Sequence, residues 1–190
     1  PYTSSAASDV YKRQELIATE AINIIKNKDQ NRPLFLYVAF NAPHTPIEAP
    51  IELINEFTDI ENEKDRVYAA NVSALDTEIG RIIKAIEQEG ILEETIILFF
   101  SDNGPVFDID PIAQVIAPNL INAKGSTAGL RGSKTSTFEG GIRVPAVIWW
   151  KGVIEKAKSD QFFFVQDILP TLLRASNVNV AEKIKFDGKD

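Results

Sequence analysis

The chain has no cysteine and only one histidine, His44, among its 190 residues. Without cysteine it cannot form disulfides, thiolate metal sites or a cysteine nucleophile of its own. With a single histidine, it has very few side chains that change protonation near neutral pH. Any acid–base chemistry near pH 7 must therefore use His44 or groups supplied from elsewhere.

Long apolar runs and an excess of positive charge are also missing. No stretch approaches the roughly 18 consecutive apolar residues of a transmembrane helix, and no basic segment followed by an apolar one marks a signal peptide. The formal net charge is −7, whereas a nucleic-acid-binding domain needs a basic face. We therefore expect neither a membrane span nor a nucleic-acid partner.

Apolar residues recur at helical spacing in two long segments and a short one. The first segment covers residues 15–28, and its apolar stripe consists of Leu16, Ile17, Ala21, Ile24 and Ile25. The second covers residues 64–89 and is followed by Gly90, a residue type that commonly closes helices. Asp167–Arg174 is predicted as a third helix.

Three apolar runs separate these helices: Leu34–Phe40, Ile96–Phe100 and Val144–Trp150, the last broken only by Pro145 near its start. Such runs are typical of strands buried on both faces, as in parallel sheets. The predicted fold is therefore α/β, with a mixed, mostly parallel sheet flanked by helices. Residues 1–14 are polar and lack a period, which favours a disordered leader or a sequence artefact before the domain at 15–190.

The apolar run at Ile96–Phe100 ends abruptly in Ser101-Asp102-Asn103-Gly104. In open α/β sheets, ligands bind at the carboxyl ends of the strands. The side-chain oxygens of Asp102 and Asn103 are hard ligands that suit Ca²⁺ or Mg²⁺. The same residues also make a good turn, because Asx side chains bond their own backbone and glycine accepts positive φ. Both interpretations stay open from these residues alone.

His44 follows the run at Leu34–Phe40, in a loop that contains Pro43, Pro46 and Pro50. Prolines on both sides restrict the backbone and could pre-organise the imidazole, as a functional site requires. A lone histidine can equally be structural or simply exposed. The loop is thus a candidate site with an alternative.

A second loop, Gly129–Pro145, is rich in glycine and precedes the third apolar run. The stretch from residue 124 to residue 143, which includes most of this loop, carries one anion, Glu139, against four cations, Lys124, Arg131, Lys134 and Arg143. In a chain of net charge −7 this local excess indicates an anion site. A solvated glycine loop with incidental charges is the alternative. The spacing around Lys134 does not match a phosphate-binding Walker loop.

These three segments together contain what a tetrahedral oxyanion ester requires. A divalent cation polarises the oxyanion, and a lysine neutralises developing charge. A histidine can protonate the leaving oxygen. The residues by themselves therefore favour hydrolysis of a sulfate or phosphate ester.

The same motifs resemble the sulfatase family, an arylsulfatase-like branch of the alkaline phosphatase superfamily. The resemblance covers about residues 15–190, and its segments follow one another at family spacing. They are Pro33–Pro50, Tyr68–Gly90, Thr95–Pro105, Gly129–Gly152, Asp167–Leu173 and Phe186–Gly188.

The resemblance implies a role for each matching residue. Asp102 and Asn103 match two ligands of a divalent cation, usually Ca²⁺, with Mg²⁺ as an alternative. His44 and Lys134 match catalytic residues that contact the sulfate group, and we assign Arg131 to substrate binding with them. The segment Glu139–Arg143 is interpreted as shaping the loop that carries Lys134. Asp76 and Gly80 match family positions on the second helix, and we assign them to packing and helix–loop hydrogen bonds rather than to chemistry.

The resemblance also implies what the chain lacks. Family members carry an earlier pair of aspartates for the same cation and a cysteine or serine that becomes a formylglycine nucleophile. The only serines before Ser73 are Ser4, Ser5 and Ser8, and none lies in that motif. We therefore expect residues 15–190 to be a partial, N-terminally truncated catalytic domain that has no turnover alone.

Three functions follow as hypotheses. The first is a sulfatase acting on a sulfated small molecule or carbohydrate, periplasmic or extracellular by family analogy. The second is a phosphoester or phosphonate monoester hydrolase of the same superfamily. The third is a non-catalytic chain that binds sulfated glycans through Lys134, Arg131 and Arg143. The loop Asp108–Ser126 is expected to shape the substrate pocket.

Overall fold

The computed structural model describes residues 8–106, 125–181 and 183–190. The chain divides into two compact units, Pro1–Ile154 and Glu155–Asp190. Most of the predicted loop Asp108–Ser126, including Lys124, lies outside the described residues; only its last two residues are described. In chain order the described elements are α1 (Ser8–Lys26), α2 (Ile51–Ile54), α3 (Glu63–Gln88), a 3₁₀ turn (Leu92–Glu94), β1 (Ile96–Phe100), α4 (Glu139–Ile142), β2 (Ala146–Trp150) and α5 (Val165–Ala175).

The described core of the first unit lies where α1 packs against α3. Its buried apolar residues are mostly small, which lets the two helices approach closely: Ala18, Ala21, Ile25, Ala70, Leu75, Ala85 and Ile86. Arg81 of α3 adds a polar contact, donating a hydrogen bond to the Thr19 hydroxyl at 3.2 Å.

The buried stripe of α1 differs from the predicted one. Leu16 is 67% exposed and Ile24 is 38% exposed, whereas Ala18 and Gln14 are buried. The helix also begins at Ser8, well before the predicted boundary at residue 15. Gln14 and Ala18 share one helix face with Ala21, so packing on α3, rather than hydrophobicity alone, selects the buried side.

The bounds of α3 agree with the predicted helix, and each end carries a capping motif. At the start, Asn62 accepts hydrogen bonds from the Lys64 and Asp65 amides at 3.0 and 3.3 Å. At the end, Gly90 has φ +71 and donates to the Glu87 carbonyl at 3.0 Å. The next amide, Ile91, reaches back to helix residue 86, which completes a Schellman motif.

Neither of the two expected packing positions on α3 is buried among the described residues. Gly80 is exposed, and a Cβ built there would meet nothing within 4 Å. Asp76 is exposed as well. Among the described residues, nothing explains why these two positions carry an aspartate and a glycine.

Strands β1 and β2 form a two-stranded ladder in the described part of the chain, and they pair antiparallel, Ile96 opposite Trp150. Parallel pairing was expected for such apolar strands. A parallel connection needs a crossover of a dozen or more residues, usually a helix, and the described part of this connection contains only the four-residue α4. The expected strand at Leu34–Phe40 forms no ladder with described residues, although its side chains alternate in exposure.

The second unit contains α5, at the position predicted for a helix. The Asp167 carboxylate accepts hydrogen bonds from the Phe164 amide at 3.0 Å and from the Lys189 amide at 2.8 Å. These bonds, led by the one from Lys189, lower the pKa of Asp167. The carboxylate therefore caps the helix and fastens the following segment to its first turn.

Gly188 packs closely against the first turn of α5, and this contact requires a glycine. Pro170 lies inside α5 and has no amide hydrogen, so the Gln166 carbonyl loses its helical donor. Gly188 passes directly over that carbonyl, and a Cβ there would overlap it and lie 2.7 Å from the Asp167 nitrogen. The resemblance to the family at Phe186–Gly188 thus has a packing reason.

None of the described helices combines the length and the apolar character needed to cross a lipid bilayer.

Candidate functional site

The end of β1 is joined to the cationic loop by two backbone hydrogen bonds. The Gly104 amide donates to the Gly141 carbonyl at 2.9 Å, and the Lys134 amide donates to the Pro105 carbonyl at 2.8 Å. We call this pair of bonds the backbone clamp. It places the segment that carries Asp102 against the segment that carries Lys134, which the sequence predicts as parts of one site.

Close packing explains the glycines at the clamp. A Cβ at Gly104 would overlap the Gly140 carbonyl oxygen and lie 2.9 Å from its carbon. A Cβ at Gly140 would lie 2.8 Å from the Arg131 carbonyl, whose oxygen accepts the Gly140 amide at 2.8 Å. Gly141 would clash in the same way with the carbonyls of Ser133 and Ser136. The two segments approach as closely as backbones can, which only glycine permits.

A tight turn holds the backbone on both sides of Lys134. The Ser136 hydroxyl donates to the Ser133 carbonyl at 2.9 Å and accepts the Ser133 amide at 3.2 Å. Ser133 is 3% exposed, and Thr135 has a positive φ of 77. Lys134 itself is half-buried, so the turn presents its side chain from a fixed backbone.

Arg131 and Arg143 have different surroundings. The Arg131 guanidinium carbon lies 3.8 Å from the centre of the Phe138 ring, a cation–π contact that orients the side chain without neutralising it. Arg143 instead pairs with Glu139 at 3.1 Å, with both side chains more than half exposed. Arg143 therefore already has an anionic partner, whereas the contact of Arg131 is with a neutral ring.

Asp102 and Asn103 lie at the surface just before the clamp. Asp102 is exposed, and Asn103 is half-buried. The Asn103 amide nitrogen donates to the Gly104 carbonyl at 3.0 Å, and the Ser101 hydroxyl donates to the Asn103 carbonyl at 3.0 Å. These local bonds are those of a turn, and they leave the carboxylate of Asp102 and the side-chain oxygen of Asn103 as hard donors.

Two oxygen donors suit a divalent cation but supply only part of its shell, because Ca²⁺ takes about 6–8 oxygens. In the ranges that the structure describes, no group of three or more histidine, aspartate or glutamate side chains could hold a metal ion. The residues therefore fit a minor part of a cation site.

His44 is exposed, and its hydrogen bonds lie within its own loop. Its amide donates to the Asn41 carbonyl at 2.9 Å, and its ring Nδ1 lies 2.9 Å from the Thr45 carbonyl oxygen. Because a carbonyl only accepts, this contact favours the tautomer that carries a hydrogen on Nδ1 and leaves Nε2 without one. Backbone hydrogen bonds thus join the end of β1 to the Lys134 loop. The hydrogen bonds of His44 given above connect it only to Asn41 and Thr45, and not to either of those segments.

Sequence reasoning missed two residues that support the site. Ser136 forms the turn at Lys134, and Asn71 of α3 donates to the Glu48 carbonyl of the His44 loop at 2.6 Å. Ser136 was readable as a serine near glycines in a loop. Asn71 offered only one signal, a polar residue among apolar positions on the face of a helix.

In fold, the chain is similar to the crystal structure of Ps i-CgsB in complex with k-i-k-neocarrahexaose. The TM-score is 0.78 at 30% sequence identity, and the match covers 93% of this chain and 36% of that one. This likeness confirms the predicted α/β class.

A family model described as sulfatase matches residues 2–178. The chain belongs to the sulfatase family. It is 32% identical over 175 residues to the uncharacterized sulfatase YdeN of Escherichia coli, covering 90% of this chain and 29% of the relative. It is 30% identical over 178 residues to mouse N-acetylgalactosamine-6-sulfatase, covering 93% and 31% respectively. The chain thus spans about 30% of the length of these curated relatives.

Proposed function

We propose that the chain is part of a sulfatase that hydrolyses a sulfate monoester. Lys134 and Arg131 bind the sulfate group, Asp102 and Asn103 contribute to a site for a divalent cation, and His44 protonates the leaving oxygen. The backbone clamp is the observation that carries this proposal. It joins the segment that carries Asp102 and Asn103 to the loop that carries Lys134 and Arg131. Such an arrangement supports one oxyanion bound by both segments.

Lys134 and Arg131 would act on the charge of the sulfate group. Lys134 lies on a turn fixed by Ser136, and Arg131 is oriented by Phe138. Positive groups held in place before the reaction stabilise developing oxyanion charge without reorganisation. A Ca²⁺ or Mg²⁺ ion held partly by Asp102 and Asn103 would supply Lewis-acid stabilisation of that charge.

His44 would donate its proton from Nε2. The Thr45 carbonyl keeps Nδ1 protonated, so the imidazolium loses its proton from the other nitrogen. This arrangement suits a general acid that assists a poor leaving group, such as a sugar hydroxyl.

The nucleophile must come from outside these 190 residues, since the chain has no cysteine and no serine in the expected motif. The family resemblance implies a formylglycine there, together with further cation ligands. We infer that the 190-residue chain binds an oxyanion and a cation weakly and does not turn over.

A sulfated carbohydrate is the proposed substrate class. Two relatives support it by name: mouse N-acetylgalactosamine-6-sulfatase and the solved complex with k-i-k-neocarrahexaose. Phosphate or phosphonate monoesters remain the second candidate, because a cation and a lysine serve either oxyanion. A purely glycan-binding role has less support, because Arg143 is already paired with Glu139.

Binding of Ca²⁺ and of inorganic sulfate to the chain, measured by calorimetry, tests the assignment. Asp102→Asn should abolish the Ca²⁺ heat, and Lys134→Ala should weaken sulfate binding about tenfold or more, the loss of a charge-assisted contact. Asp160→Asn and Lys151→Ala, both at exposed positions, are the matched controls. Equal effects of test and control variants would contradict the proposal.

Substrate class is tested separately, with the protein that carries this segment and its nucleophile. Hydrolysis of matched 4-nitrophenyl sulfate and 4-nitrophenyl phosphate should favour the sulfate ester. A preference for phosphate would support the second candidate instead.

A further inference from the structure

Asn71 is buried in the middle of α3, far in sequence from the residues assigned to the site. It is 3% exposed, and its side-chain nitrogen donates to the Glu48 carbonyl at 2.6 Å. Glu48 belongs to the proline-containing loop that carries His44 and leads into α2. One amide therefore ties this loop to the helix that forms the described core.

The hydrogen-bonding groups of Asn71 indicate why an asparagine occupies this position. Its side-chain oxygen is also buried and has no hydrogen-bond partner among the described residues. An unsatisfied buried acceptor destabilises a fold, and an apolar side chain of similar shape would avoid that penalty. Filling space on α3 therefore does not account for an asparagine, whereas holding the Glu48 carbonyl does.

The loop can transmit this anchorage to His44. Glu48 follows His44 by only four residues, and Pro46 fixes one φ of that path, so holding the Glu48 carbonyl limits how far the imidazole can move. At its other end, His44 donates its amide to the Asn41 carbonyl at 2.9 Å. The ring is exposed, so its position depends on the backbone and not on packing around it.

We propose that Asn71 is a positioning residue for His44, acting through the Glu48 carbonyl. The catalytic use of His44 rests on the proposed function, whereas the anchoring of its loop by Asn71 does not. Removal of the Asn71 donor frees the loop and lets the imidazole leave the orientation in which Nδ1 bonds the Thr45 carbonyl. The fold of α3 changes much less, because its core contacts are apolar.

The single histidine permits a direct test in the 190-residue chain, because only His44 contributes imidazole signals to an NMR spectrum. The wild type should show one set of ring signals with the Nδ1-protonated tautomer. Asn71→Leu, which is close in shape but has no donor, should shift or multiply these signals and mix the tautomers. Asn62→Ala is the control, since it removes the cap of the same helix and leaves the loop anchor intact.

Inorganic sulfate, titrated into the same samples, separates this proposal from the proposed function. Sulfate should move the His44 signals, and its affinity should fall about fivefold in Asn71→Leu, the effect of one neutral hydrogen bond. If sulfate leaves the wild-type signals unchanged, the role of His44 in oxyanion binding fails. A tautomer change in Asn71→Leu would still support the anchor.

Two measurements can overturn the positioning role. The first is the comparison of His44 spectra, which contradicts the role if wild type and Asn71→Leu are identical or if Asn62→Ala changes equally. The other needs no variant: the side-chain amide protons of wild-type Asn71 should exchange slowly with solvent, unlike those of exposed asparagines. Fast exchange would show that the bond to Glu48 is absent, even if Asn71→Leu does not fold.

Discussion

Gly104→Ala should disconnect the end of β1 from the Lys134 loop. The added Cβ would overlap the Gly140 carbonyl oxygen and lie 3.1 Å from the Gly141 Cα. All of these obstructing atoms are backbone atoms, so no side chain can rotate away. Either the strand end or the loop must move, and the two bonds of the backbone clamp, at 2.9 and 2.8 Å, lie at that contact.

The cost follows from these contacts. Overpacking of a closely fitted contact costs about 1–3 kcal/mol, and two lost hydrogen bonds cost about 0.5–1.5 kcal/mol each. The sum, about 2–6 kcal/mol, is a large share of the roughly 5–15 kcal/mol by which domains are stable. With a urea m-value of about 2 kcal/mol/M, the unfolding midpoint should fall by about 1–3 M.

Gly80→Ala is the matched control for this experiment. A Cβ at Gly80 meets nothing within 4 Å, and the position lies inside α3. Alanine there should raise the free energy of unfolding by about 0.8–1 kcal/mol, the difference in helix propensity. Urea unfolding followed by circular dichroism measures both variants. The reasoning is refuted if Gly104→Ala unfolds at the wild-type midpoint, or if Gly80→Ala is the more damaging change.

Three further outcomes are expected. Ser136→Ala should weaken sulfate binding several-fold in calorimetry by loosening the turn at Lys134, while Ser159→Ala should not. Asp167→Asn should destabilise the second unit at neutral pH. Because the folded-state pKa of Asp167 is lowered, its contribution is present above the unfolded value of about 3.9 and disappears as pH falls through the folded one. Exchange of the Lys189 amide, measured by NMR from pH 7 to pH 2, should therefore differ between wild type and variant only at the higher pH. The 190-residue chain should release no sulfate from 4-nitrophenyl sulfate, and measurable release would show that the nucleophile is within it.

The local features could be predicted because their causes lie within a few residues. The bounds of α3 follow from the Asn62 cap, the apolar spacing and Gly90, and those of α5 from a short amphipathic segment. The candidate residues Asp102, Asn103, Lys134 and His44 came from their positions after apolar runs and in loops. Their roles stay predictions, although the clamp brings the first three into one region.

Other features depend on which distant segment each residue meets. Exposure of Leu16 and Ile24 was not predicted, because both fit the apolar stripe of α1 equally well. The antiparallel pairing of β1 with β2 also differs from the parallel pairing that was expected. An apolar run predicts a buried strand, yet Val147 and Ile148 of β2 are 58% and 44% exposed. Only the path of the intervening chain decides whether the next strand returns antiparallel.

The sequence by itself determined the family, the main helices, and the absence of a cysteine nucleophile, because each is written in residue identity or short-range spacing. Only the tertiary structure decided that Gly104 and Pro105 bond the loop around Lys134, and that Asn71 holds the loop of His44. These contacts join residues far apart in the chain. Their partners are selected by close packing and by the need to pair backbone groups, neither of which a local pattern records.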